Sequence, residues 1–144
     1  MNIIIAGGGT GGHLFPGIAI AQEFMRKNPD TRITFIGSTQ GIEARMLPKL
    51  GFALKTLPIR GFRGKRPAEK LAALALVPVS FLLAGNYLRS LHADLVVGLG
   101  GYSSFPAVVA ARVMGIPAVI HEQNSVPGLA NRMLGRLARM VFVT

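Results

Sequence analysis

Short apolar runs alternate with longer stretches of helical periodicity along the whole chain of 144 residues. Runs rich in β-branched and other apolar residues predict strands, whereas apolar residues at three- and four-residue spacing predict helices. The predicted strands are residues 2–6, 32–37, 52–59, 93–101, 116–122 and 140–144. The predicted helices are residues 15–27, 39–51, 71–88, 103–115 and 126–139.

Strands that are apolar on both faces and alternate with helices are typical of a parallel sheet covered on both sides. We therefore predict an α/β fold, a Rossmann-like doubly wound parallel sheet, in one domain over residues 1–144. Ligands of such sheets bind at the carboxyl ends of the strands. The segments 7–13, 100–103 and 121–124 each follow a predicted strand, so we expect them to converge on one edge.

The first of these segments is dense in glycine and begins the next helix. Gly7, Gly9 and Gly12 satisfy the G-x-G-x-x-G pattern, but the second strand ends in Gly-Ser-Thr without the acidic residue that a nicotinamide site needs. A phosphate-binding P-loop is excluded because no G-K-[ST] follows. Two interpretations remain: backbone amides at a helix start that bind an anion, or a tight turn that binds nothing.

Polar side chains of two segments are candidates for chemistry. His13 adjoins the glycine loop and is either a capping residue or a hydrogen-bond donor or general base toward a substrate. His121, Glu122, Gln123 and Asn124 follow the fifth predicted strand. No second histidine pair or aspartate cluster accompanies them, and the chain has no cysteine, so substrate hydrogen bonding is favoured over a metal site.

The net charge of +10 indicates anionic partners, since only 15% of the residues are charged. Nucleic acid, acidic lipid headgroups and phosphorylated substrates all fit this charge. A nucleic-acid-binding module remains an alternative, but with no tryptophan and two tyrosines the chain lacks aromatic platforms for base stacking. We therefore expect no specific nucleic-acid partner.

Residues 71–88 are uncharged and follow a basic segment. Their length lies at the lower limit for a membrane-spanning helix, but Pro78 near the centre argues against spanning. We predict peripheral contact with an anionic membrane surface; the alternative is an ordinary core helix beside a solvated basic loop. The predicted membrane contacts are Arg60, Arg63, Lys65, Arg66, Leu74, Phe81 and Leu82.

Three segments in order, GGTGGHLFPGIAIA, GLGGYSSFPAVVAA and HEQNSVPGLANR, resemble the signatures of MurG-type glycosyltransferases. These enzymes add N-acetylglucosamine to a lipid-linked muramyl-pentapeptide in bacterial peptidoglycan synthesis, on which cell shape and division depend. The resemblance implies a GT-B fold, of which this chain matches the N-terminal, acceptor-binding half. We expect the C-terminal donor-binding domain to be absent from the chain, the isolated half to be inactive, and no cofactor to be needed; we identify no metal-binding residues.

The resemblance also implies a reaction and its location. In an inverting transfer, the C4 hydroxyl of the muramyl sugar attacks the anomeric carbon of UDP-N-acetylglucosamine, which gives a β1,4 link and UDP. The implied partners are UDP-N-acetylglucosamine, the undecaprenyl-diphosphate-linked muramyl-pentapeptide and an anionic membrane. The implied location is peripheral, on the cytoplasmic face of the bacterial inner membrane.

Individual roles follow from the resemblance position by position. His13 is the first candidate for the group that accepts the hydroxyl proton, and Glu122 is the second. The expected donor-binding residues are Thr10, Gly11, Gly12 and Asn124. The expected acceptor-binding residues are Gly100, Gly101, Tyr102, Ser103 and His121.

A second enzyme class also deserves comparison. The split transferases of dolichol-linked glycan synthesis have a separate membrane-anchored acceptor chain that is similar to this domain. The combination of HEQN with GGTGGH favours the bacterial family, and no amino-terminal anchor is visible in the sequence. Since the chain stops as a strand begins, we expect it to be part of a larger protein.

Overall fold

The computed structural model describes residues 1–61, 64 and 66–143. The strands are β1 (Asn2–Gly7), β2 (Arg32–Ser38), β3 (Ala53–Leu57), β4 (Leu95–Gly100), β5 (Ala118–Glu122) and β6 (Met140–Val143). The helices are α1 (Gly11–Lys27), α2 (Ile42–Met46), α3 (Pro67–Ser90), α4 (Ser104–Val113) and α5 (Leu129–Leu134), with a 3₁₀ turn at Pro48–Leu50. A strand or helix of the predicted type therefore overlaps each predicted segment.

The six strands form one parallel sheet in the order β3-β2-β1-β4-β5-β6. From β1 the chain builds outward to β3, then returns to the centre at β4 and builds outward on the other side to β6. The predicted doubly wound parallel sheet is confirmed. The direction of winding changes between β1 and β4, and a crevice opens at the carboxyl ends of strands at such a point.

Each face of the sheet has its own apolar core, because successive strand residues point to opposite faces. On one face, Ile3 and Ile5 of β1 pack with Leu14 of α1 and with the partly buried Met46 of α2. The other face, covered by α3, α4 and α5, includes Ile4, Leu88, Ala107, Ile120 and Leu134. Each fully buried leucine or isoleucine contributes about 1.5–3 kcal/mol to the stability of this arrangement.

Helix boundaries differ from the prediction at several places, and α3 (Pro67–Ser90) extends beyond residues 71–88 at both ends. α1 begins at Gly11 rather than at residue 15, because the Thr10 carbonyl accepts the backbone N–H groups of His13 (3.2 Å) and Leu14 (3.1 Å) and so starts the first turn. The predicted helix 39–51 is shortened to α2 and the 3₁₀ turn, since Pro48 interrupts it. α5 ends at Leu134, where Gly135 caps it, rather than at residue 139.

Candidate functional site

The loops that follow the two central strands pack backbone against backbone. Gly101 has a φ of +77°, and a Cβ atom placed on it would lie 2.8 Å from the Gly8 carbonyl oxygen. Only glycine permits this approach. The structure therefore brings the glycine loop (residues 7–12) beside the loop at residues 100–103, as the strand pattern predicts.

A cavity of about 360 Å³ opens beside these two loops. This volume falls within the usual range for small-molecule sites. Its wall includes Tyr102 and Ser103, predicted as acceptor-binding residues, and the Tyr102 ring packs against the backbone of Gly61. Gln40 and Arg60 also line the cavity. Arg60, predicted as a membrane contact, thus lies where its positive charge can meet an anionic ligand.

His13 lies in the first turn of α1 and faces β4. Its Nδ1 is 2.9 Å from the Thr10 hydroxyl oxygen, and a Cβ atom on Gly100 would lie 3.0 Å from its Nε2. Burial lowers the pKa of the His13 imidazole, and the charges of Glu122 and Glu43 offset only part of this effect. The imidazole is therefore neutral near pH 7. When Nδ1–H donates to Thr10, the Nε2 lone pair is available to accept a proton.

The Glu122 carboxylate is buried and organises the loop that follows β5. Its Oε1 accepts hydrogen bonds from the backbone and side-chain nitrogens of Asn124 (2.9 and 2.8 Å). Its Oε2 accepts bonds from Gly128 N (3.1 Å) and Asn131 Nδ2 (2.9 Å). Burial acts to raise the pKa of Glu122, but these hydrogen bonds outweigh it and the pKa is lowered. This geometry favours a role in holding the loop, and proton acceptance by Glu122 stays a prediction.

His121 and Glu122, predicted together in one polar segment, lie on opposite faces of the sheet. Strand residues alternate, and Val119 packs with the α1 side whereas Ile120 packs with the α3 side. His121 therefore lies on the α1 side. Its Nδ1 is buried and has no hydrogen-bond partner among the residues that the structure describes.

Two buried polar residues of the site were not predicted. Asn131 of α5 donates from Nδ2 to Glu122 and also to the His121 carbonyl oxygen at 3.3 Å. Glu43 of α2 accepts hydrogen bonds from Gly9 and Ser38. The sequence feature that could have identified Asn131 is a polar side chain within the apolar pattern of α5. Glu43 could have been identified as an acidic residue shortly after β2. The sequence analysis sought an acidic residue only at the end of that strand.

The residues predicted to bind the donor lie on the same carboxyl edge. Gly11 and Gly12 form the first positions of α1, and Thr10 precedes them. Asn124 is exposed in the loop after β5, and its side-chain nitrogen is engaged by Glu122. In the described ranges 1–61, 64 and 66–143, no group of three or more histidine, aspartate or glutamate residues is arranged to hold a metal ion.

α3 is long and apolar enough to cross a bilayer by length and composition, and it is the one such helix in the described part of the chain. One of its faces nevertheless packs inside the domain through Ala73, Ser80, Ala84 and Leu88. The opposite face exposes Leu71 (70%), Leu74 (57%) and Leu82 (64%) to solvent. Phe81, also predicted as a membrane contact, is partly buried and packs against the core, and its membrane contact stays a prediction.

Basic residues lie on the same side of the sheet as this exposed apolar face. Arg66 precedes α3 and is exposed, whereas Arg63 and Lys65 lie outside the described residues. Three further arginines, which the sequence analysis did not identify, line a second cavity of about 380 Å³ between the ends of α4 and α5: Arg112, Arg136 and Arg139. Since α4 packs against α3, these arginines lie on the same side of the sheet as the exposed leucines.

Residues 3–143 match the sequence model of the glycosyltransferase family 28 N-terminal domain. A relative from Trichlorobacter lovleyi is 48% identical over all 144 residues, which cover 38% of that protein. A relative from Thermodesulfovibrio yellowstonii is 49% identical, with 39% of it covered. Both are named UDP-N-acetylglucosamine--N-acetylmuramyl-(pentapeptide) pyrophosphoryl-undecaprenol N-acetylglucosamine transferase. The chain thus spans about two fifths of the length of these relatives.

Solved structures agree with this assignment. MurG from Acinetobacter baumannii superposes with a TM-score of 0.86 at 34% identity, over 99% of this chain and 41% of that one. UDP-GlcNAc 2-epimerase from Methanocaldococcus jannaschii, at 14% identity and a TM-score of 0.63, shares the fold alone. The resemblance to MurG-type enzymes and the expected Rossmann-like half of a GT-B fold are confirmed. Because the family model spans nearly the whole sequence and the relatives are close to half identical, the chain belongs to glycosyltransferase family 28 as its N-terminal domain.

Proposed function

We propose that the protein carrying this domain transfers N-acetylglucosamine from UDP-N-acetylglucosamine to the C4 hydroxyl of an undecaprenyl-diphosphate-linked muramyl-pentapeptide. This domain is its acceptor side, and the other domain supplies most of the donor site. The observation that carries the proposal is the meeting of both glycine-rich loops and His13 at one crevice. The name shared by the relatives supplies the substrates.

The proposed chemistry is a single displacement at the anomeric carbon of the donor. The C4 oxygen forms the new glycosidic bond, the bond to UDP breaks, and the hydroxyl proton passes to Nε2 of His13. Three features support this role for His13: its lowered pKa, the contact of Nδ1 with Thr10, and the position of Nε2 beside Gly100. A neutral imidazole at working pH is what a general base requires.

The cavity beside Tyr102 and Ser103 is the proposed acceptor site. The acceptor carries a diphosphate, which exposed backbone amides of a glycine loop and a guanidinium group both favour. Arg60 supplies such a group at the cavity wall. Gly100, Gly101 and His121 complete the proposed acceptor contacts, whereas Thr10, Gly11, Gly12 and Asn124 face the donor.

The membrane proposal rests on the exposed face of α3. Exposed leucines with arginines on the same side of the sheet form the kind of surface that binds peripherally to anionic lipid. Each arginine near such a membrane adds about 1 kcal/mol of attraction. We place the protein peripherally on the cytoplasmic face of the inner membrane, where the lipid-linked acceptor is available.

A chimera tests the proposed activity. This chain replaces the matching N-terminal part of the Thermodesulfovibrio yellowstonii relative, and transfer from radiolabelled UDP-N-acetylglucosamine to a lipid-linked muramyl-pentapeptide is measured. We expect turnover, and a loss of about 10²- to 10⁴-fold in His13→Ala, the usual effect of removing a general base. His92→Ala is the matched control, since His92 is exposed before β4, away from the site. A folded chimera without transfer, or an undiminished His13→Ala, refutes the proposal.

Co-sedimentation with phosphatidylglycerol vesicles tests the membrane surface. Leu82→Glu removes one exposed leucine of α3, and we expect about tenfold weaker binding because a buried leucine contributes about 1.5–3 kcal/mol. Met25→Glu on α1, on the opposite face of the sheet, is the control. Equal binding by the two variants contradicts docking through α3.

A further inference from the structure

The carboxylate of Glu43 ties the end of β2 to the glycine loop. Glu43 is fully buried on α2. Its Oε2 accepts a hydrogen bond from Gly9 N at 2.8 Å. Its Oε1 accepts bonds from the backbone N of Ser38 (2.8 Å) and from the Ser38 hydroxyl (2.9 Å). One side chain therefore holds the loops that follow two neighbouring strands.

Three glycines surround this carboxylate and leave room for it. A Cβ atom on Gly8 would lie 2.5 Å from Oε1, and one on Gly37 would lie 2.5 Å from Cγ of Glu43. A Cβ atom on Gly41 would contact both carboxylate oxygens. In the described part of the chain no lysine or arginine pairs with Glu43, so its hydrogen bonds compensate for the burial. The absence of side chains at these glycines thus leaves room for an internal carboxylate.

The bond to Gly9 determines where the chain enters α1. Gly9 has a φ of +86°, and its amide is held by the hydrogen bond that it donates to Glu43. Thr10 follows directly and contacts Nδ1 of His13. The loop on the other side is also affected, because the Gly8 carbonyl abuts Gly101.

We propose that Glu43 is a positioning residue of the transfer site: by holding Gly9 against the end of β2, it places Thr10 and His13 in the crevice. Its effect on turnover rests on the proposed function, whereas its effect on the loop does not. The side chain touches neither substrate nor His13 in this role. It acts through the backbone of the glycine loop and, by its charge, on the His13 imidazole.

The charge of Glu43 gives the role a readout that a purely structural residue lacks. Two carboxylates act on His13, Glu43 from α2 and Glu122 from β5, and both raise the pKa of the imidazole against the effect of burial. Removing the Glu43 charge therefore lowers the His13 pKa further. The neutral base then persists to lower pH, so the acidic limb of the kcat/KM profile shifts to lower pH.

Two measurements on the loop need no assumption about activity. In the unmutated chain, a scalar coupling between ¹⁵N of Gly9 and ¹³Cδ of Glu43 reports the hydrogen bond directly, even where a variant fails to fold. In Glu43→Gln the side-chain amide can be oriented in two ways. In either one, the NH₂ group faces the backbone N–H of Gly9 or of Ser38, and one hydrogen bond is lost. We expect amide exchange to quicken about 10- to 100-fold at Gly9 or at Ser38, whichever faces the NH₂ group, as for loss of a hydrogen bond to a charged group. Glu23→Gln, an exposed glutamate on α1, leaves Gly9 unchanged.

The same variants in the chimera test the effect on transfer. We expect kcat/KM to fall about tenfold or more in Glu43→Gln, with the acidic limb displaced to lower pH and no such change in Glu23→Gln. No coupling to Gly9 together with unaltered exchange overturns the proposal, and so does an unshifted acidic limb. If amide exchange responds but the unmutated chimera transfers no sugar, the hold on the loop stands and the proposed function fails.

Discussion

The close approach of the two central loops makes a sharp prediction for Gly101→Ala. A methyl group there meets the Gly8 carbonyl oxygen at 2.8 Å, and the backbone has a φ of +77°. Gly115 is a matched control, because its φ is +72° but nothing lies within 4 Å of its Cβ position. The two variants thus share the backbone strain and differ in the contact with the neighbouring loop.

The expected magnitudes follow from these two contributions. Alanine in a left-handed conformation costs about 1–2 kcal/mol, offset by about 0.4–1 kcal/mol from the lower entropy of the unfolded chain. We therefore expect Gly115→Ala to reduce the free energy of unfolding by about 1 kcal/mol. Gly101→Ala adds about 1–3 kcal/mol for forcing the loops apart. For a domain of this size, 1 kcal/mol shifts Tm by about 2–4 °C.

Urea unfolding followed by circular dichroism measures both variants, and thermal unfolding gives an independent comparison. Gly101→Ala should be the less stable variant by both methods. Equal destabilisation would show that the loops after β1 and β4 do not touch in solution, and the reasoning about the crevice would then be wrong.

Three further predictions concern buried polar groups. Glu122→Gln should cost about 1.5–3 kcal/mol near neutral pH, because it disrupts hydrogen bonds to a charged group. Since folding lowers the pKa of Glu122, this difference in urea stability is present above the ordinary value of 4.5 and diminishes as the pH falls below it. In the unmutated chain the His13 imidazole should titrate below 6.5 by NMR, and lower still in Glu122→Gln, which removes a negative charge acting on it. Ser80→Ala should leave the urea stability unchanged or raise it by up to about 1 kcal/mol. The reason is that the buried Ser80 hydroxyl has no hydrogen-bond partner among the described residues. A clear loss of stability in this variant would contradict the prediction.

The sheet was predictable because its signals are local. Apolar runs of strand length alternate with helical periods, and the parallel arrangement follows from that order. The meeting of the glycine loop with residues 100–103 followed in turn, since carboxyl ends of parallel strands share an edge. Strand alternation also predicts that His121 and Glu122 lie on opposite faces of the sheet. The sequence analysis nevertheless treated the polar segment as one cluster.

The sequence alone could not show why a glycine is needed at each of these positions. Gly8 and Gly41 lack side chains because of Glu43, and Gly101 lacks one because of the Gly8 carbonyl. These reasons are contacts between segments distant in the chain, and no local pattern expresses them. The start of α1 was misplaced for a related reason, since glycine has low helix propensity and the hydrogen bonds to Thr10 decide the boundary.

The position of the crevice between β1 and β4 also governs the dynamics of the site. Central strands open only when the whole domain opens, whereas edge strands such as β6, whose side chains are all exposed, can fray separately. The candidate site therefore unfolds together with the sheet as a whole. A ligand that binds there stabilises the entire domain, by about 2.7 kcal/mol at a hundred times its Kd. The melting temperature of this domain therefore rises as the fraction of crevices with bound ligand rises.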